Sequence, residues 1–163
     1  MNPVVAFVGL GGNVGDAAAT LRAAFAELGA LPRTRLLRAS RLYRTPAWGL
    51  EDQPDFANAA AMLETELSAQ ELLAHLLAIE RVHGRERDAD RRWSPRTLDL
   101  DLLLYGDAAL DEPGLHLPHP RLHERAFALV PLVEIAPEAT IPGVGRAAGA
   151  LAKLPGEGIC ILD

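Results

Sequence analysis

The chain has 163 residues, of which 49% are hydrophobic and 23% charged, proportions that suit one globular domain able to bury a core. Its net charge of -6 excludes a general attraction to nucleic acid or to an anionic membrane, so any anionic ligand must be held by a local basic cluster. No apolar run approaches the roughly 18 residues that span a bilayer, and the first residues lack a basic stretch leading into an apolar one; the default expectation is a cytoplasmic protein.

Residues 4–10 form a short apolar run rich in β-branched side chains and lead into Gly11-Gly12-Asn13, after which Ala17, Leu21, Ala24, Phe25 and Leu28 recur at helical spacing. This predicts a strand, a glycine turn and a helix, with Asp16 as N-cap and Gly29 as the C-terminal stop. Residues 36–44 alternate and run into Thr45-Pro46, which reads as one second strand; the turn formers of residues 48–55 make the loop that follows. The alanines of residues 56–67 favour helix, yet the spacing of Phe56, Ala60 and Met62 and the flanking loop permit a strand, and strand is the preferred reading. Ser68-Ala69-Gln70-Glu71 is a capping box. Behind it Leu72, Leu73, Leu76, Ile79 and Val82 form the apolar stripe of a helix ending near His83-Gly84.

Residues 85–96 are densely charged, carry one aromatic, Trp93, and show no apolar periodicity. They read as a long exposed loop able to act as a lid. Residues 98–105 alternate Leu, Asp, Leu, Asp before turning wholly apolar, which predicts a strand with one apolar and one acidic face, closed by Gly106-Asp107. A short helix over 122–134, a turn-rich stretch over 137–149 and a C-terminal strand over 158–162 complete the chain. Its one cysteine, Cys160, lies in that apolar ending and reads as core. Strands and helices joined by hairpin-compatible connections point to an α+β sandwich with a largely antiparallel sheet.

On a strand, Asp99 and Asp101 point to the same face, close enough for their carboxylates to share one or two divalent cations. Magnesium suits such a pair, because it keeps several waters and is completed by substrate phosphates rather than by a protein cage. The competing reading of an isolated Asp-x-Asp is the solvated face of an edge strand. The preceding loop decides between them: Arg85, Arg87, Arg91, Arg92 and Arg96 concentrate cations in an acidic protein, and guanidinium forks match phosphate oxygens. Trp93 either stacks on a base or anchors the loop.

The glycine segment 9–16 joins a strand to a helix, but Val14 stands where a dinucleotide fingerprint has its third glycine, and no lysine followed by Ser or Thr makes a P-loop. It reads as a backbone turn bordering a ligand pocket. Thr45, Pro46 and Trp48, with Phe56 and Asn58, supply the polar and aromatic groups that a flat heterocycle needs. Among the five histidines, His119, set between Pro118 and Pro120, is held rigidly enough to suggest a ligand contact. These features leave open a phosphoryl-group transferase, a magnesium-dependent nucleotidyl transferase and a non-enzymatic nucleotide-binding module.

The run Arg92-Trp93-Ser94-Pro95-Arg96-Thr97-Leu98-Asp99-Leu100-Asp101-Leu102-Leu103 closely resembles the signature of the hydroxymethyl-dihydropterin pyrophosphokinases of folate biosynthesis. Tyr43-Arg44-Thr45-Pro46, Asp52-Gln53-Pro54-Asp55-Phe56-Ala57-Asn58-Ala59, Ile79-Glu80, Gly84-Arg85, Pro118-His119-Pro120 and Pro131-Leu132-Val133-Glu134 fall in the same order as in that family. The resemblance implies a single ferredoxin-like α+β domain, here residues 1–163, with a largely antiparallel central sheet flanked by helices. It also implies that ATP donates its β,γ-pyrophosphoryl group to the pterin hydroxymethyl oxygen and leaves as AMP; a monomer is the default expectation.

By the same resemblance Asp99 and Asp101 bind two magnesium ions, with Arg85 and Arg96 as catalytic arginines. Trp93, Leu102, His119 and Arg125 correspond to nucleotide-contacting positions. The pterin is expected between Phe127 and Phe56, with Asn58 on its edge and Thr45, Pro46 and Trp48 completing the pocket. Four positions depart from the family pattern: Gly12 replaces a common serine, Phe56 a common tyrosine, Pro120 a frequent aromatic and Asp88 a frequent lysine.

Overall fold

The computed structural model describes residues 2–46, 55–84, 97–155 and 158–162. Along the chain run β1 (Val4–Gly12), α1 (Ala17–Gly29), β2 (Thr34–Ala39), β3 (Tyr43–Thr45), β4 (Phe56–Thr65), α2 (Ala69–Val82) and β5 (Asp99–Tyr105). A hairpin of β6 (Leu110–Glu112) and β7 (Leu115–Leu117) follows, then a 3-10 turn (Leu122–Glu124), α3 (Ala126–Ile135), β8 (Thr140–Ile141), β9 (Gly145–Arg146), α4 (Ala147–Ala152) and β10 (Cys160–Ile161).

The main sheet has the order β10-β3-β4-β1-β5, with β2 also paired to β4, and every pairing is antiparallel. Read as β1-α1-β2-β4-α2-β5 with β4 and β1 at the centre, this is the ferredoxin-like arrangement that the resemblance implies. Helices α1 and α2 cover one face. There Ala6, Val8, Leu10, Ala59, Leu63, Leu100 and Leu102 meet Leu21, Leu28, Leu72, Leu76 and Ile79. On the other face Phe7, Ala60, Leu103 and Leu104 pack against Leu122, Leu129, Leu132, Ile135 and Ala147.

Strand β4 explains its alanines. Ala57, Ala59 and Ala61 are buried in the first cluster and Ala60 in the second, so small side chains let helices approach both faces of a central strand. This tertiary packing outweighs the helix preference of alanine. The Ser68 capping box is formed as expected: Ser68 Oγ accepts from Glu71 N and Ser68 N donates to Glu71 Oε1 at 2.8 Å.

Several expectations are corrected. The glycine segment is no turn at its start, since β1 continues through Gly12, paired to β4 and β5. Helix α1 begins at the Asp16 cap, but Gly29 lies inside it and Ala30 closes it; a Cβ at Gly29 would stand 3.3 Å from Leu36 Cβ, so this glycine serves close packing. The expected strand over 36–44 is broken into β2 and β3, which take successive parts of one edge of β4. Ser40 bridges the break, its N–H donating to Ala60 O at 2.9 Å and its Oγ accepting from Ala60 N at 2.8 Å. Val82 is 79% exposed and leaves the apolar stripe. The helix expected over 122–134 is a 3-10 turn followed by α3. Cys160 is exposed rather than core, with Arg44 Nη2 at 3.4 Å from its Sγ.

Candidate active site

Helix α3 covers only part of its face of the sheet. Beside it lies a pocket lined by Gly9, Gly11, Asn58, Asp99, Asp101, Leu103, His119, Leu122, Arg125 and Phe127. Strand alternation puts the two aspartates there: Leu100 and Leu102 enter the core under α1 and α2, while Asp99 and Asp101 stand half-buried on the opposite face. Across the ladder, Asp99 pairs with Gly11 and Asp101 with Gly9. The partner positions therefore carry no side chain, and the bay in front of the carboxylates stays open.

Gly11 has a second duty. A Cβ at this position would lie 2.8 Å from Asn58 Oδ1, so only glycine admits the Asn58 amide in its observed place. That amide is 6% exposed, and its Nδ2 donates to Thr45 Oγ1 at 2.7 Å. The bond orients Asn58 with Nδ2 towards β3 and Oδ1 over Gly11. Thr45 ends β3, and Pro46 after it packs against the C-terminal segment, where a Cβ on Gly158 would approach Pro46 Cγ to 2.8 Å.

His119 is tied to β5 through its backbone N–H, which donates to Leu103 O at 2.9 Å. Its Nδ1 accepts from Arg121 N at 3.1 Å, so the neutral ring carries its hydrogen on Nε2. Burial, assisted by the Arg125 and Arg121 guanidinium groups and opposed by Asp99, lowers its pKa to about 4. At neutral pH the ring is an uncharged donor. Arg125 occupies the N-cap position of α3 and places its guanidinium carbon 5.6 Å from the Phe127 ring centroid, a cation–π distance that holds both groups at the pocket wall.

Among the described residues no group of three or more His, Cys, Asp or Glu side chains could hold a metal ion. Two carboxylates on an open bay instead fit magnesium, whose remaining positions are filled by water and phosphate oxygens. The structure thus brings Asp99, Asp101, His119, Arg125, Phe127 and Asn58 together. Thr45 supports Asn58 from behind, while Phe56 and Pro46 are half-buried and lie outside the pocket lining. The side chain of Leu102 is 5% exposed within the core on the other face, as the alternation of the strand predicts, which leaves its backbone as the part open to a ligand. Trp48, Arg85, Trp93 and Arg96 lie outside the described residues. Gly9 and Gly11 border the pocket, as expected of the glycine segment, but as strand residues rather than as a turn; a glycine at every second place of a strand paired to Asp-x-Asp is a signal of a cleared bay.

A family model described as 7,8-dihydro-6-hydroxymethylpterin-pyrophosphokinase (HPPK) matches residues 7–137. The 2-amino-4-hydroxy-6-hydroxymethyldihydropteridine pyrophosphokinase of Methylorubrum extorquens is 48% identical over 154 residues, covering 94% of this chain and 96% of the relative. The protein of the same name from Pseudomonas aeruginosa is 44% identical over 153 residues, covering 94% and 93%. A crystal structure of HPPK-DHPS in complex with substrates superposes with a TM-score of 0.72 at 11% identity, covering 93% of this chain and 43% of that one. The likeness to that structure is one of fold, and this chain spans less than half of its length. With the family model and the two bacterial relatives agreeing over nearly the whole sequence, the chain belongs to the 7,8-dihydro-6-hydroxymethylpterin-pyrophosphokinase family.

Proposed function

We infer that this chain transfers the pyrophosphoryl group of ATP to 6-hydroxymethyl-7,8-dihydropterin in folate biosynthesis, giving AMP and the pterin diphosphate. The observation that carries the reading is a pocket in which an acid pair, a neutral histidine, an arginine and an aromatic ring meet a buried amide. In the reaction the pterin hydroxyl oxygen bonds to the β-phosphorus. The bond from that phosphorus to the oxygen bridging the α-phosphorus breaks, the bridging oxygen leaves with AMP, and the hydroxyl proton passes to solvent.

Two magnesium ions held by Asp99 and Asp101 would neutralise phosphate charge and lower the pKa of the pterin hydroxyl. His119 donates through Nε2 and Arg125 through its guanidinium to phosphate oxygens, both placed before the substrate arrives, so little reorganisation is needed as charge develops. Phe127 stacks on the pterin, with Phe56 as the second aromatic wall. Asn58 Oδ1, fixed by Thr45, accepts from ring N–H groups, and Pro46 and Trp48 complete the rim. Arg85 and Arg96 add guanidinium donors to the polyphosphate, Trp93 covers the nucleotide, and the Leu102 backbone contacts the base. The protein acts as one domain over residues 1–163, as a monomer, in the cytoplasm.

The test is a product assay with and without the pterin. AMP should form only when pterin is present; ADP would reveal an ordinary kinase, and free pyrophosphate a nucleotidyl transferase. Asp99→Ala and Asp101→Ala should each lower turnover at least about 100-fold while circular dichroism shows the fold intact. Full activity in both variants overturns the assignment of the acid pair.

A further inference from the structure

Helix α2 carries a buried acidic side chain that the reaction described above does not use. Glu80 is 1% exposed, although it lies one residue after Ile79 on a helix whose other buried positions are Ala69, Leu72, Leu76 and Ile79. Packing alone does not call for it, because removing a carboxylate from water costs several kcal/mol unless a strong partner compensates, and an apolar side chain of similar size would fill the space. Its Oε2 accepts from Leu100 N at 2.7 Å.

That peptide is a special one. Among the described residues strand β5 is an edge of the main sheet, paired on one side to β1. Leu100 is the residue between Asp99 and Asp101, and its side chain is buried on the opposite face. An edge N–H without a strand partner needs another acceptor, and here the Glu80 carboxyl oxygen supplies it. The carboxylate thereby fastens the backbone link whose position sets the separation and direction of the two aspartates.

We propose that Glu80 is a positioning residue for the metal-binding pair: by accepting the Leu100 N–H it holds the strand segment 99–101 in the geometry at which both carboxylates engage divalent cations. It acts through backbone and touches neither metal nor substrate. This inference rests on the reading of Asp99 and Asp101 as magnesium ligands.

Three variants test it, with the magnesium dependence of pyrophosphoryl transfer as readout. Glu80→Asp keeps the carboxyl group but withdraws the oxygen by one methylene. The magnesium concentration for half-maximal rate should rise and kcat at limiting magnesium fall, each by about 10-fold or more, the range for groups that orient metal ligands, with KM for the pterin unchanged. Glu80→Gln keeps an acceptor at full length and should restore most of both. Glu80→Leu should behave as Glu80→Asp or worse, and its urea unfolding midpoint reports any general loss of fold. Wild-type magnesium dependence in Glu80→Asp, or a Glu80→Gln variant as impaired as Glu80→Asp, overturns the proposal. The two failures are separable: if Asp99→Ala and Asp101→Ala are inactive while Glu80→Asp is normal, only the positioning role is lost, whereas active aspartate variants remove the metal pair itself.

Discussion

Gly11 and Asn58 show how one missing side chain can select a ligand. With a Cβ predicted 2.8 Å from Asn58 Oδ1, Gly11→Ala must displace the amide from Thr45 or bend β1. The sheet remains paired around it, so the expected outcome is a KM for the pterin raised about 10-fold or more, the cost of one misplaced hydrogen-bonding group, with KM for ATP nearly unchanged in steady-state kinetics. His119 gives a pH-dependent counterpart. Its ordinary pKa near 6.5 is lowered to about 4 by burial and by Arg125, so between those values the unfolded chain binds a proton that the folded chain refuses. The stabilising effect of the neutral ring is therefore full above about pH 6.5 and lost as pH falls towards 4. Urea unfolding at pH 7 and pH 5 should show the wild type losing more stability than His119→Gln over that step; equal losses would contradict the shift. At this scale the aspartates, His119 and Asn58 were legible from residue type and spacing, whereas Arg125 and Phe127 came only from the family resemblance; the structure gathers all of them at one pocket. The Asn58–Thr45 bond and the Glu80–Leu100 bond were not legible, since each joins residues whose proximity only the tertiary fold creates.

Elements were legible where local chemistry decides them and obscure where packing does. The α2 start is of the first kind: Ser68 and Glu71 satisfy each other's backbone donors without help from the rest of the chain. Ser68→Ala should accordingly cost about 1 kcal/mol of stability, read as a lower urea midpoint with kcat and both KM values unchanged. Strands β2 and β3 are of the second kind. Their division at Ser40 depends on Ala60, twenty residues on, which exchanges hydrogen bonds with Ser40 across the break, and nothing in the alternation of residues 36–44 announces it. Cys160 misled for a related reason: among the described residues its two-residue strand pairs with β3 alone and forms an outer edge, so an apolar ending does not by itself bury its cysteine. The bulge that lets Leu103 and Leu104 serve the same core cluster lies in β5, where Leu103 is the extra residue between the partners of Phe7 and Val8.

For the molecule as a whole, the site is assembled from segments distant in sequence: Gly9 and Gly11 on β1, Asn58 on β4, Asp99 and Asp101 on β5, and His119 to Phe127 at the start of α3. No short stretch of the unfolded chain reproduces this arrangement, so ligand binding is confined to the folded state and must raise its stability by mass action. With magnesium-ATP at about 100 times its dissociation constant the gain is about 2.7 kcal/mol, which for a domain of this size corresponds to a Tm rise of about 5–10 °C. The rise should vanish when EDTA removes the magnesium, and it should be largely lost in Asp99→Ala and Asp101→Ala, whose melting without ligand stays close to wild type because both residues are only half-buried at the pocket edge. A magnesium-independent shift of the same size would instead mean that the arginines and His119 hold the polyphosphate unaided, and that the acid pair serves the transfer step rather than binding.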